Sequence, residues 1–114
     1  MKNHLYLNEN DIEWKESSTF DKGFTKVLLR AEESESFAVL LQTVKPNGRV
    51  PSHSHKEDSF YYIISGCGKL YLGEDRVDIV PGLAVYIPSW EVHGIDNNGS
   101  SPIKYIEIKN YVPS

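Results

Sequence analysis

Three of the four histidines in this 114-residue chain stand where short apolar runs begin or end. His53 and His55 are separated by one residue, and His93 follows 38 residues after His55. Along an extended backbone, residues i and i+2 point to one face, so His53 and His55 can aim two imidazoles at one point. Imidazole nitrogens bind divalent metals at about 2.0–2.1 Å. His93 lies just beyond a proline turn, residues 88–92, and two or three intervening strands could return it beside the pair. Three neutral imidazoles suit iron, manganese, nickel, zinc or copper, among which availability rather than affinity order decides. The pair by itself reads more readily as two polar residues at a strand mouth, and His4 stands apart in a polar segment.

What positions these residues must be strands. No run of ten or more residues carries the three-and-four apolar spacing of a long helix. Short apolar, aromatic and β-branched runs recur instead, at residues 26–31, 37–44, 59–64, 69–72, 76–80, 83–87, 93–96 and 103–109. Turn signals separate them, among them residues 32–36, Pro46-Asn47-Gly48, Gly66-Cys67-Gly68, Gly73-Glu74-Asp75 and Pro81-Gly82. Many short strands between Gly, Pro and Asn turns predict an all-β antiparallel sandwich or small barrel. Residues 60–64 and 83–87 are apolar on both faces, which predicts a core on one side and a second copy of the chain on the other: a homodimer. Residues 1–24 differ in character and are expected to form an arm that covers a barrel edge, its own or its partner's, with residues 25–114 as the barrel.

Composition narrows the partners. The net charge is −4 with acids and bases interleaved, so no Lys/Arg cluster exists to track a phosphate backbone, and nucleic acid is not expected as a partner. No apolar run is long enough for a membrane span. The opening residues lack the apolar core and cleavage site of a secretory signal, and the single Cys67 fits a reducing compartment, so the expected location is cytoplasmic. Cys67, in a Gly-Cys-Gly turn, is not expected to be a metal ligand.

The stretch from Gly48 to Gly66 resembles the first motif of the cupin family, G(X)5HXH(X)3-4E(X)6G, and the stretch from Gly82 to Asn97 resembles the second, G(X)5PXG(X)2H(X)3N. His53, His55 and Gly66 match the first; Gly82, Pro88, His93 and Asn97 match the second at full spacing. The resemblance implies a double-stranded β-helix, or jelly-roll, barrel and a metal site on His53, His55 and His93. There are three departures. Gly48 stands one residue closer to His53, Trp90 replaces the glycine of the second motif, and Ser59 occupies the place of the family's ligand glutamate. The bulkier indole of Trp90 is expected at the pocket mouth or the dimer seam. The usual three-histidine, one-glutamate set would thereby become a three-histidine set with open positions for water or substrate, the layout of a catalytic site. Glu57 could substitute as an oxygen ligand if the strand runs on without a kink, and otherwise is a solvated loop acid.

With His53 and His55 pointing inward, alternation turns Ser59, Tyr61 and Ile63 inward too. Tyr61 is then a candidate proton donor or substrate anchor, and otherwise a core aromatic. Gln42 interrupts an apolar run and is a candidate polar group of the pocket, or else an edge residue, while Arg49 is a candidate partner for a substrate anion or simply for Glu57 on the outside. Cupins with three histidines and no glutamate resemble dioxygenases, and other members are isomerases, decarboxylases and lyases. The expected function is therefore a metal-dependent enzyme acting on a small molecule, with a dioxygenase in view. The alternatives are a metal-dependent isomerase or decarboxylase, and a non-catalytic cupin that binds a sugar or an effector.

Overall fold

The computed structural model describes residues 3–113. A single 3-10 turn at Glu9–Asp11 precedes β1 (Lys15–Glu16), β2 (Asp21–Leu29), the one-turn helix α1 (Ala31–Ser34), β3 (Phe37–His53) and β4 (Ser59–Ser65). The chain continues through β5 (Gly68–Leu72), β6 (Asp75–Ile79), β7 (Ala84–Ile87), β8 (His93–Asp96) and β9 (Ile103–Asn110). Every strand pairing is antiparallel, and the sheet runs β6-β5-β8-β3-β9-β4-β7, with β2 also on β3 and β1 on β2. The all-β jelly-roll barrel that the sequence implies is what the chain forms. No helix of the described residues is long and apolar enough to cross a membrane.

The sheet curls because β3 belongs to both of its leaves. Up to Val44 it pairs with β9, with β2 on its other side from Val39; at Arg49, Val50 and His53 it pairs with β8 in place of β9, and β2 still reaches Arg49 through Asp21. Pro46-Asn47-Gly48, expected as a turn, is instead the bend within this one strand. Asn47 adopts a left-handed φ of 67°, which Asn tolerates better than most residues. Its backbone N–H bonds to the Asn97 carbonyl at 2.9 Å. A Cβ on Gly48 would stand 2.6 Å from the Asp21 carbonyl oxygen, so only glycine lets β2 approach the bend.

Alternation then sorts side chains cleanly. On β4, Ser59, Tyr61 and Ile63 are buried, whereas Phe60, Tyr62 and Ile64 are exposed. On β7, Val85 and Ile87 turn inward and Tyr86 outward. With Val44, Leu70, Ile95, Ile103 and Tyr105 they make one core, each large side chain contributing about 1.5–3 kcal/mol on burial. The N-terminal segment is fastened by Lys26, buried on β2, whose ammonium donates to the Glu9 carboxylate at 2.7 Å and lies 4.8 Å above the Trp14 ring. Helix α1 replaces the turn expected at residues 32–36; four residues are too few to leave an apolar period in the sequence.

Candidate metal centre

His53, the last residue of β3, lies directly opposite His93, the first of β8. His55 is beyond the strand end, so the pair converges by a loop rather than by strand parity alone. That loop is tied to its neighbour: the Trp90 N–H donates to the His55 carbonyl at 2.8 Å, and the Ser89 N–H to an Asp58 carboxylate oxygen at 2.9 Å. The Tyr86 hydroxyl donates to the other Asp58 oxygen, also at 2.9 Å. The three imidazoles meet with ring centroids 4.4 Å (His53–His93), 5.0 Å (His55–His93) and 5.4 Å (His53–His55) apart. Their ligand nitrogens all lie within 4.8 Å of one another.

Each ring is oriented by the backbone. His53 Nδ1 faces the Pro51 carbonyl at 2.8 Å, His55 Nδ1 the Glu57 carbonyl at 3.0 Å, and His93 Nδ1 the Glu91 carbonyl at 2.8 Å. A carbonyl only accepts, so the proton sits on Nδ1 in all three rings and the Nε2 lone pair is left free. The Nε2 atoms of His55 and His93 are buried with no hydrogen-bond partner. Burial pushes the His93 imidazole down to about 4, with His53 and His55 adding a smaller push against the opposing Glu91 carbonyl contact. A neutral imidazole with a free, buried lone pair is the ligand form, so these residues fit a divalent metal ion.

A cavity of about 420 Å³ opens beside the histidines, lined by His53, His55, Tyr61, Gln42, Glu107 and Lys109, with Phe20 and Thr25 completing a wall. A larger hollow of about 910 Å³ lies near Leu5, Leu29 and Val39 and includes none of the three histidines. Gln42 accepts from the Thr25 hydroxyl, which aims its amide N–H at Glu107 Oε1, 3.0 Å away. Ser59 is fully buried, and its hydroxyl is 3.5 Å from Glu107 Oε2. Tyr61 sits 6.2 Å from His93, centroid to centroid, and 4.7 Å from Tyr105. Burial first, and then the nearby Glu107 charge, pushes the Tyr61 phenol well above its usual range. Glu57 stands behind His55: its carboxylate is 3.6 Å from Nδ1, the nitrogen that also faces the Glu57 carbonyl. Arg49 is exposed and away from the cavity wall, and so is Trp90, which keeps a left-handed φ of 67° at the place of the motif glycine. Cys67 is exposed and free.

Glu107 is the residue that sequence reasoning missed. It lies between Ile106 and Ile108, a pattern that ordinarily turns the isoleucines inward and the acid to water. The opposite holds, because Ile103 and Tyr105 claim the inner face of β9 and carry Glu107 with them.

A scan against protein families matches the Cupin domain over residues 40–109. The chain is a cupin. Its fold is shared with a polyketide cyclase, RemF, from Streptomyces resistomycificus, at 19% identity and a TM-score of 0.85 over 95% of this cupin and 80% of that chain. It is shared also with a predicted oxalate decarboxylase from Thermotoga maritima, at 22% identity and a TM-score of 0.85 over 95% of this cupin and the whole of that chain, 100%. At these identities the likeness is one of fold. Among curated proteins, this cupin is 26% identical over 107 residues to mannose-1-phosphate guanylyltransferase RfbM of Salmonella typhimurium, covering 92% of this chain and 22% of that protein. The chain thus spans about a fifth of the length of that relative.

Proposed function

We propose that this cupin is a metal-dependent enzyme for a small molecule, with a divalent transition metal held by Nε2 of His53, His55 and His93. One observation carries the reading: all three rings place Nδ1 on a backbone carbonyl, and two of the Nε2 atoms so freed are buried without a partner. When bound, the ion supplies Lewis acidity to a substrate oxygen. The chain's own groups do the rest. Gln42, held by Thr25, and Lys109 at the cavity wall can orient a small polar substrate. Tyr61, on the cavity wall and kept protonated by burial, offers a hydrogen-bond donor to a substrate oxygen. A donor and a carboxylate in one cavity favour proton-moving chemistry, isomerase or lyase in type, over the dioxygenase reading, which draws only on the histidine set. A second reading, a sugar-binding cupin, is favoured by the similarity to the guanylyltransferase along 92% of this chain.

Metal analysis of untagged protein separates the two. About one equivalent of a transition metal, lost on chelation and absent from His53→Ala and His93→Ala, is expected of the enzyme. Protein that takes up no metal, and whose thermal stability is the same with chelator or added ion, refutes it.

A further inference from the structure

Three neutral imidazoles leave both positive charges of a divalent ion uncompensated, and in a cavity walled by protein that imbalance is costly. Among the described residues Glu107 is the only buried carboxylate, at 3% exposure, and it lines the same cavity as His53 and His55. Its two oxygens are unequal. Oε1 accepts a well-formed 3.0 Å bond from Gln42. Oε2 has only the Ser59 hydroxyl at 3.5 Å and the Lys109 ammonium at 3.9 Å, and that lysine is a third exposed. An acid kept for structure alone would have close donors on both oxygens, since burying a carboxylate without them costs several kcal/mol, on the order given for an unpaired buried charge. Oε2 is therefore a half-used acceptor on a residue that lines the cavity, while the Thr25–Gln42 relay on two neighbouring strands holds Oε1.

We propose that Glu107 is the charge-balancing carboxylate of the three-histidine centre, standing outside the ligand ring and accepting a hydrogen bond from the water or substrate hydroxyl that shares the cavity with the ion. This rests on the metal reading above. Glu107 lies opposite Tyr61, and Ser59 opposite Lys109, on adjacent strands, so Ser59 and Glu107 are diagonal neighbours on one inner face. A carboxylate placed at either position serves the same ion.

The test uses Ni²⁺ alone, titrated calorimetrically into chelator-stripped protein, so no substrate is needed. Glu107→Gln, nearly isosteric, is expected to weaken Ni²⁺ by about 10- to 100-fold, the usual effect of losing a partner beyond the ligands. Glu107→Asp, which keeps the charge, is expected to lose less. Ser59→Glu is expected to gain little in the native background, where it crowds a second acid against Glu107, and to restore affinity at least about tenfold in the Glu107→Gln background. Thermal unfolding in chelator identifies any variant that fails to fold, and Glu107→Asp then carries the comparison. A structural acid would lower the melting temperature without moving Ni²⁺ affinity. If His53→Ala and His93→Ala abolish binding while Glu107→Gln binds Ni²⁺ within twofold of the native protein, this inference is wrong and the metal reading stands. If the native protein binds no Ni²⁺, both fall.

Discussion

Replacing Asn97 by alanine should cost about 3 kcal/mol of stability, and the figure follows from where its amide is spent. Asn97 is buried just past β8, and its side chain ties three segments together. Nδ2 donates to the Val44 carbonyl at 2.8 Å, inside the core, and to the Ser101 carbonyl at 2.9 Å; Oδ1 accepts from the Gly99 N–H at 3.0 Å. The Ser101 and Gly99 groups belong to exposed residues and can turn to water, so each bond is worth about 0.5–1 kcal/mol. Val44 is fully buried, and its carbonyl left alone costs about 1–3 kcal/mol. The sum spans about 2–5 kcal/mol, and about 3 kcal/mol corresponds to a fall of about 10–15 °C in melting temperature for a domain of this size. The assay is urea unfolding followed by circular dichroism, with Ser101→Ala as control, because Ser101 offers only its backbone and should change stability by less than about 0.5 kcal/mol. The backbone bonds of Asn97 to Asn47 and Gly48 persist in the variant, so the bend of β3 is preserved. A loss under about 1 kcal/mol would show that water replaces the amide and would refute the accounting.

Two further outcomes follow. Gly66→Ala should destabilise more than Gly82→Ala by at least about 1 kcal/mol: both glycines have left-handed φ, 94° and 90°, but only at Gly66 would a Cβ meet backbone, 2.4 Å from the Pro102 oxygen. Equal losses in urea unfolding would contradict the steric reading. Phe60, Tyr86 and Ile108 are cross-strand neighbours on the exposed face of β4, β7 and β9, so light scattering at micromolar concentration should give a dimer that Phe60→Lys converts to monomer. A native monomer would remove the dimer from consideration.

The strands were legible because each apolar run is short and punctuated; the three histidines stood out through their match to the two cupin motifs, since spacing alone left His53 and His55 as a polar pair at a strand mouth. Inward parity on β4 was legible only by counting on from the inward histidines, since Phe60, Tyr62 and Ile64 make the other face just as apolar; Ser59, Tyr61 and Ile63 are the buried set. The bend of β3 was not legible. Proline, asparagine and glycine in a row signal a turn, and only the partner change from β9 to β8 reveals a strand that continues through them. Glu107 was hidden for a related reason: β9 is apolar on both faces, and the isoleucines flanking the acid point its local alternation toward water. Glu57 and Arg49 looked eligible because sequence gives proximity to the histidines but not direction; Glu57 lies in the loop after β3 and Arg49 on β3 itself, and neither lines the cavity.

The place of β9 bears on how the barrel comes into being. In chain order it is the ninth strand, yet in the sheet it lies between β3 and β4. Until residues 103–110 have left the ribosome, two long strand edges have no partner, and the inner wall that carries Glu107 does not exist. Pairings such as Leu40 with Glu107 span 67 residues of chain, 107 less 40. Folding is therefore expected to wait on late, distant contacts and to be slow for so small a domain. During that wait the nascent chain presents open, apolar strands to its neighbours, so its yield in cells should depend on synthesis rate and chaperones more than the stability of the finished barrel suggests.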